Sequence, residues 1–376
     1  MMKYRLQVTA NALNKRRRIP ASLPDDSGIV GVVLQGFSFI GERVHPAELN
    51  GATERWYRDR DGYYYMGRWL IETEEIPSPE VVKEVKAAPV KAAPPSVLPG
   101  WLTSLGIDQL WNKTQGENVK IAVLDSGYNV NNTDLSEGVI DSKVCFTPAA
   151  GRKVTINDTF GHGSHCASLI GGRNKMAFTA SAPLCDLFIA KICSQGSVSN
   201  YSVIITAIQW AIEKKVDIIS ISYGGESSDA ALENIIKSAV HDHNILVIAS
   251  IGDAFEGSAN LPCFPAMFQD CMAVGATDDQ GQLAAVTILN NKTEINAPGN
   301  DITGYTLSTD LAKLTGTSQA AAIVAGICAL IIAHFKKNGK PYTVNQLRNL
   351  VAQNSDPVAG HPTQKLISPL KIFQAI

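Results

Sequence analysis

The chain has 376 residues, 45% of them hydrophobic, and a formal net charge of −2 at pH 7. This length allows one large domain with a smaller one beside it. The near balance of charges argues against a nucleic-acid-binding or membrane-binding surface that acts through bulk electrostatics. The N-terminus lacks the continuous apolar stretch of a signal peptide, and no later run of about eighteen uninterrupted apolar residues follows. We therefore expect a cytoplasmic protein that binds neither nucleic acid nor membrane.

The cysteines are odd in number and form no C-x-x-C pair. This pattern favours buried free thiols over a disulfide framework or a zinc site. The seven positions are Cys145, Cys166, Cys185, Cys193, Cys263, Cys271 and Cys328.

Residues 1–75 contain β-rich runs separated by Pro, Asp and Gly clusters, which predicts a small all-β barrel. The runs are KYRLQVTA, GIVGVVLQGFSFIGE and GATERWYRDRDGYYYMGRWLIE. About half of the aromatic side chains in the third run are expected in the barrel core, and the others on a peptide-binding face. The basic run at residues 15–18 is expected to be a solvated loop, because acidic residues of the same segment nearly cancel its charge. An inhibitory propeptide is the alternative for residues 1–75.

Residues 76–99 read IPSPEVVKEVKAAPVKAAPPSVLP, with six prolines among Ala, Val and Lys. This composition predicts an extended, semi-stiff linker rather than a packed element. The linker is also an obvious cleavage site.

From Gly100 to the last residue, β runs alternate with helical patterns, which predicts a parallel sheet covered on both faces. The stretch VKIAVLDSG contains a strongly apolar predicted strand that ends on Asp125. A carboxylate at the carboxyl end of a buried parallel strand lies where open α/β sheets place their sites. The alternative is structural, because Asp before Ser-Gly is also a common turn former.

The stretch DTFGHGSHCASLIGG places His162 and His165 among glycines at the start of a short apolar helix. A single histidine in such a turn is more often structural than catalytic. The His-x-x-His spacing also suggests a metal site, but no further His, Cys or carboxylate follows at ligand spacing. We therefore predict no metal here.

Residues 311–334 read LAKLTGTSQAAAIVAGICALIIAH, in which a polar turn opens into a long run of small and apolar residues. A helix that is apolar on nearly every face belongs in the middle of a core. Its first turn offers unpaired backbone N–H groups and the positive end of the helix dipole. Ser318, at this joint, is placed either as a nucleophile or as a simple helix cap.

The order DSG, GHGSHCA and GTSQAA within an α/β chain resembles the subtilisin-like serine proteases, the subtilases. The resemblance covers about residues 100–376 and implies a doubly wound, mostly parallel sheet with helices on both faces. Its connecting motifs include FTASAPLCDLFIAKI, DIISISYGG, NILVIASIGD, CMAVGAT and INAPGNDI. In residues 1–75, LNKRRRIPASL and RWYRDRDGYYYMGRWL resemble the bacterial SH3-like domain, which implies an SH3-like barrel with a peptide or protein ligand.

The resemblance implies a serine endopeptidase in which Asp125 orients His162, and His162 takes the proton from Ser318. His165 falls on a packing position of the family. The backbone N–H of Ser318 and residue Asp253 fall on the oxyanion site. The segments that bind the protein or peptide substrate are implied at Ser222, Tyr223, Gly224, Ala249, Ser250, Ile251 and Gly252.

Asp253 departs from the family, which usually carries Asn there. An ionised carboxylate would repel the oxyanion, which leaves three alternatives. Burial keeps Asp253 protonated so that it donates as a neutral acid, or the backbone N–H of Ser318 stabilises the oxyanion alone in a slow enzyme. In the third alternative, the domain has lost its catalytic activity. We expect an active, selective or regulated protease. The alternatives are a catalytically silent peptide-binding protein and a transpeptidase with the same triad.

No cofactor is predicted for the protease domain. The loop GGRNKMAFTA carries no acidic residue, so the calcium loop of secreted relatives is not recognised, although calcium stays an open alternative.

Overall fold

The computed structural model describes fourteen stretches of the chain. They are residues 3–8, 12–16, 29–34, 38–43, 56–59, 64–66, 70–76, 98–146, 154–173, 178–194, 200–254, 262–288, 290–308 and 311–376. The chain divides into two compact units, one formed mainly by residues 1–91 and the other mainly by residues 92–376. Most of the predicted linker, residues 77–97, lies outside the described stretches.

The N-terminal unit contains seven strands in one sheet, in the order β3-β2-β6-β5-β4-β1-β7. Every pairing between neighbours in this sheet is antiparallel. The strands are β1 Lys3–Val8, β2 Ala12–Arg16, β3 Ile29–Leu34, β4 Ser38–Arg43, β5 Trp56–Asp59, β6 Tyr64–Met66 and β7 Leu70–Ile76.

This sheet agrees with the β-rich composition of residues 1–75, and the SH3-like barrel stays a prediction. The basic run at residues 15–18 is predicted to be a loop, but its first two residues belong to a strand. Lys15 and Arg16 lie in β2 and pair with Gly31 and Ile29 of β3. The expected roles of the aromatic side chains fall outside what the structure describes.

The C-terminal unit is built on a nine-stranded sheet in the order β17-β18-β14-β13-β12-β11-β8-β10-β9. All neighbouring strands in it run parallel except the edge pair β17 and β18. Its strands are β8 Lys120–Asp125, β9 Val139–Val144, β10 Asp186–Lys191, β11 Ile218–Ile221, β12 Leu246–Ser250, β13 Cys271–Thr277, β14 Ile295–Pro298, β17 Asp356–Val358 and β18 His361–Leu366. A separate antiparallel hairpin pairs β15 Ile302–Tyr305 with β16 Leu311–Leu314.

The strand order reverses at β8, the first strand of this sheet in the chain. The next two strands, β9 and β10, lie on one side of β8, and β11 to β14 lie on the other side. Open α/β sheets bind ligands at the carboxyl ends of the strands at such a switch point. Asp125 is the last residue of β8 and therefore lies at that position.

Helices cover the sheet, and every residue of β11, β12, β13 and β14 is buried. Strands that are buried along their whole length have both faces covered, as predicted for a doubly wound fold. The helices are α1 Gly100–Ser104, α2 Thr133–Ser136, α3 His162–Gly171, α4 Tyr201–Glu213, α5 Ala230–His241, α6 Thr317–Lys337, α7 Val344–Gln353 and α8 Pro369–Gln374. A short 3₁₀ helix covers Asp108–Leu110.

Helix α6 is the central helix of the domain. It contacts α3 and the strands β11, β12, β13 and β14, and all its residues from Thr317 to Ala333 are buried. Among the described residues it is the one helix long and apolar enough to cross a membrane, and 83% of its apolar window is buried inside the domain. Core packing therefore accounts for its composition.

All seven cysteines carry free thiols, and six of them are buried. This agrees with the predicted free, buried thiols. Cys263, which is half-exposed, is the exception.

Candidate active site

Asp125 ends β8 as a buried carboxylate with an exposed fraction of 5%. The backbone N–H of Ser126 donates to its Oδ1 at 2.7 Å. The following Gly127 has φ of +100°, and a Cβ on it would lie 2.1 Å from the carbonyl oxygen of Ile156. Only glycine fits this turn, which begins directly after Asp125.

His162 is the first residue of α3, directly after Gly161, whose φ of +95° turns the chain into the helix. Its Nδ1 lies 2.9 Å from both carboxylate oxygens of Asp125. An Nδ1–H that donates to this carboxylate leaves the lone pair of Nε2 free to accept a proton.

The charge around His162 favours the imidazolium form. Burial alone lowers the pKa of the imidazole, but the negative charge of Asp125 and the neighbouring Cys166 outweigh burial. The His162 pKa therefore ends well above its ordinary value of 6.5. The pair is thus suited to accept a proton and hold it while a reaction proceeds.

Asp158, which the sequence analysis did not single out, ties the Asp125 loop to the His162 helix. Its Oδ1 accepts from Ser126 Oγ at 2.9 Å, from the N–H of Phe160 at 2.8 Å and from the N–H of Gly161 at 2.9 Å. Its Oδ2 accepts from the N–H and the Oγ of Ser164 at 2.9 and 2.7 Å. An acid four residues before a helix-opening histidine is the signal that could have identified it.

Ser318 lies in the first turn of α6, where Gly316 is the N-cap residue and has no side chain to satisfy the helix N–H groups. Ser318 is 9% exposed. Its carbonyl oxygen accepts from the Oγ of Ser222 at 3.3 Å and lies 4.0 Å from the Sγ of Cys166.

The thiol of Cys166 lies between helices α3 and α6. It belongs to α3 one turn after His162, and its Sγ lies 3.9 Å from His162 Nδ1 and 3.7 Å from Ser222 Oγ. The structure thus brings Asp125 and His162 into direct contact. It places the first turn of α6, with Ser318, against the thiol that also contacts His162.

Asp125, His162 and Cys166 place one carboxylate oxygen, one imidazole nitrogen and one sulfur within 4.8 Å of one another. Such a donor set suits a transition-metal ion. However, His162 Nδ1 already faces the Asp125 carboxylate at hydrogen-bonding distance. A cation there would displace the Nδ1 proton and break the contact between Asp125 and His162.

His165 faces away from this pair. It is fully buried, and its Nε2 lies 2.9 Å from the carbonyl oxygen of Ile302 in β15. Burial and the charge of His162 lower the pKa of His165 to about 3. A neutral ring held in the core agrees with a packing position.

Asp253 follows β12 and faces the start of α6. Its Oδ1 accepts from the N–H of Thr317 at 2.7 Å and from the Oγ1 of Thr317 at 2.8 Å. Asp253 therefore supplies the side-chain cap that Gly316 cannot provide. Burial raises the pKa of the Asp253 carboxyl, although the two bonds from Thr317 and the charge of His162 act in the opposite direction.

The segments predicted to bind substrate leave two neighbouring strands at the same edge. Residues 222–224 follow β11, and residues 249–252 include the end of β12, with Ile221 opposite Ala249. Ser222, Tyr223 and Gly224 are half-exposed, whereas β11 is buried throughout. In this segment the accessible surface thus begins where β11 ends, whereas Ala249, Ser250 and Ile251 of the second segment are buried.

Comparisons with known proteins agree with this architecture. The profile of the subtilase family matches residues 116–367. The major intracellular serine protease of Bacillus subtilis (strain 168) is 33% identical over 239 residues, which cover 62% of this chain and 75% of that protein. The intracellular serine protease of Paenibacillus polymyxa is 34% identical over 225 residues, or 59% of this chain and 69% of that protein.

A solved structure is similar as well. The prenylagaramide maturation protease PagA superposes with a TM-score of 0.62 at 26% sequence identity, over 72% of this chain and 97% of that chain. Family profile, relatives and fold all point in the same direction. The chain belongs to the subtilase family and is a subtilisin-like serine endopeptidase.

Proposed function

We propose that the chain is an intracellular, selective serine endopeptidase that cleaves peptide bonds through Asp125, His162 and Ser318. The observation that carries the proposal is the contact of His162 Nδ1 with both oxygens of Asp125, 2.9 Å each. With that tautomer, Nε2 takes the proton of the Ser318 hydroxyl as Oγ attacks the scissile carbonyl carbon. The proton then goes to the leaving amine nitrogen as the C–N bond breaks, and water releases the acyl group by the reverse route.

The oxyanion site in this proposal consists of the backbone N–H of Ser318 and the side chain of Asp253. The first N–H groups of a helix have no intrahelical partner, so the N–H of Ser318 is free to donate. Asp253 uses Oδ1 for Thr317, which leaves Oδ2 to carry a proton. A protonated acid donates to the oxyanion, whereas the ionised form repels it. A site that depends on this proton would work slowly at neutral pH, which supports a selective or regulated enzyme.

Substrate in this proposal extends along residues 222–224 as an added strand, with the side chain before the cleaved bond between residues 222–224 and 249–252. The partial exposure of residues 222–224 beside a buried strand supports such pairing. PagA is named a maturation protease, and this name supports a selective role rather than general degradation.

The names of two relatives support action inside the cell, because both are called intracellular serine proteases. The N-terminal unit is proposed to recruit a peptide or protein ligand near the protease domain. Its antiparallel sheet supports a binding module, since exposed sheet edges and faces bind extended peptides. We further propose that catalysis needs no metal or organic cofactor.

Labelling of the nucleophile tests the proposal. A fluorophosphonate probe should attach to Ser318 of the full-length protein, as located by peptide mass spectrometry. Ser318→Ala and His162→Ala should abolish the label, whereas Ser104→Ala, at an exposed serine of α1, should retain it. Absence of the label from folded wild-type protein would favour the catalytically silent alternative. Addition of a peptide amine that becomes joined to the product would favour the transpeptidase.

A further inference from the structure

Strand β10 ends on a lysine that lies in the core at the carboxyl end of the sheet. Lys191 pairs in register with Asp125, the last residue of β8, and only 1% of its surface is exposed. The N–H of the next residue, Ile192, donates to the carbonyl oxygen of Asp125 at 2.7 Å. Burial of an ammonium group is unfavourable unless its charge is paired, so the partners of Lys191 indicate what it does.

The side chain of Lys191 crosses the turn that follows β8 and ends on residues 156–158. A Cβ built on Gly127 would lie 3.3 Å from the Cδ of Lys191 and 2.1 Å from the carbonyl oxygen of Ile156. The lysine stem and this segment therefore pack against the same glycine. The Nζ of Lys191 donates to the carbonyl oxygen of Asn157 at 2.6 Å. The lysine thus fixes the backbone directly before Asp158.

The ammonium group of Lys191 also opposes the charge of Asp158. Asp158 is 3% exposed, and the donors to its carboxylate are hydroxyl and backbone N–H groups. Burial lowers the pKa of Lys191, and the negative charge of Asp158 acts in the opposite direction. Two buried acids, Asp125 and Asp158, therefore share this end of the sheet with a buried cation.

We propose that Lys191 is a positioning residue of the catalytic site, which holds residues 156–158 in place and compensates the charge of Asp158. This inference rests on the proposed function and deepens it. Asp158 joins the Asp125 loop to the start of α3, so a displaced segment moves His162 relative to Asp125. Because Lys191 is buried, it acts through these neighbours and does not contact substrate.

The loss of this cation should also change the ionisation of His162. The charged groups that face the imidazole are Asp125 and Cys166, which raise its pKa, with Asp253 and His165 beyond them. Lys191→Met keeps the apolar stem and removes the positive charge. The uncompensated charge of Asp158 then favours the imidazolium further, so the acid limb of kcat/KM should move to higher pH.

The test uses the full-length protein and a peptide substrate. Lys191→Met should lower kcat by about 10- to 100-fold and change KM little, because a displacement of about 1 Å in a remote support costs up to about 100-fold. Lys191→Arg keeps the charge and should leave the acid limb near its wild-type position. Lys120→Met is the matched control, since Lys120 begins β8 at the opposite end of the same strand pair. It should leave kcat and the limb unchanged.

A double variant tests whether Lys191 acts through Asp158. With Lys191→Met and Asp158→Ala together, the limb should return toward its wild-type position, and the loss in kcat should be smaller than the product of the two single losses. A loss equal to that product overturns the inference. So does a Lys191→Met enzyme with a lowered Tm and an unmoved limb.

Two further measurements complete the test. Lys191→Gln keeps a donor for Asn157 without the charge, so its limb should also move to higher pH, and it carries the test if Lys191→Met does not fold. Fluorophosphonate labelling of Ser318 separates the two levels of the proposal. An unlabelled wild type contradicts the proposed function, whereas a labelled wild type beside variants with an unmoved limb contradicts only the role of Lys191.

Discussion

Replacement of Asp253 by Asn should increase turnover at neutral pH. Asn keeps an oxygen that can accept both bonds from Thr317, now 2.7 and 2.8 Å long, so the start of α6 stays capped. At the second position it presents an N–H donor in place of an acid that is repulsive when ionised. In subtilases, the loss of this side-chain donor costs about 10²- to 10³-fold in turnover, or about 2.7–4 kcal/mol. Asp253→Asn should therefore raise kcat by up to about 10²-fold.

The pH dependence gives the sharper test. Burial raises the pKa of Asp253, so wild-type enzyme gains its protonated donor as the pH falls. The ratio of kcat for the variant to kcat for the wild type should therefore grow as the pH rises through that pKa. The charge of His162 also acts on Asp253, so the acid limb of each protein is measured separately and divided out before the ratio is formed. Asp229→Asn is the matched control and should leave kcat unchanged. Asp229 also caps a helix, because its Oδ1 accepts from the N–H of Leu232 in α5 at 2.8 Å.

Thermal unfolding should follow the same ionisation. A carboxyl whose folded-state pKa is raised contributes stability that is fully present below the unfolded pKa and is lost as the pH rises through the folded pKa. Asp253→Asn removes this loss, so its Tm relative to wild type should increase with pH. A variant that is folded but equally or less active at neutral pH, with a flat kcat ratio, would refute the proposed repulsion.

The other predictions concern the proposed base His162, the positioning residue Asp158 and the metal independence of the enzyme. Because the pKa of His162 lies well above 6.5, kcat/KM should continue to rise with pH beyond 6.5. The stability that the imidazolium contributes should be lost as the pH rises through the same pKa. A pH–rate profile beside a pH–Tm series shows both trends, and an acid limb below pH 6.5 contradicts them. Asp158→Ala should lower kcat more than it raises KM and should shift the acid limb, because the Asp125 loop and the His162 helix lose their common acceptor. A purely structural role would lower the Tm and leave the limb in place. Treatment with EDTA should leave kcat/KM and Tm unchanged, and restoration of lost activity by added Ca²⁺ would contradict the proposed metal independence.

The central part of the fold and site could be predicted from the sequence because its signals are local. A buried apolar strand that ends on Asp125 and a mostly apolar helix with Ser318 in its first turn are both visible in single short stretches. The alternation of strands and helices then predicts a parallel sheet. The position of β8 at the reversal of strand order required the full topology.

The contacts that the sequence did not reveal are long-range ones. Asp158 accepts from Ser126, which is 32 residues away, and the thiol of Cys166 lies against the carbonyl oxygen of Ser318, which is 152 residues away. Lys191 donates to the carbonyl oxygen of Asn157, which is 34 residues away. The role of such a residue depends on neighbours that are distant in the sequence, and no pattern in its own stretch predicts it.

Helix α6 carries the proposed nucleophile Ser318 at one end and fills the core along its first seventeen residues, Thr317 to Ala333. A serine on a mobile surface loop can stop working while the rest of a domain stays folded, but this one cannot move without the core. During heating, hydrolytic activity and native fluorescence should therefore disappear together, so that the loss of activity directly reports the unfolding of the domain.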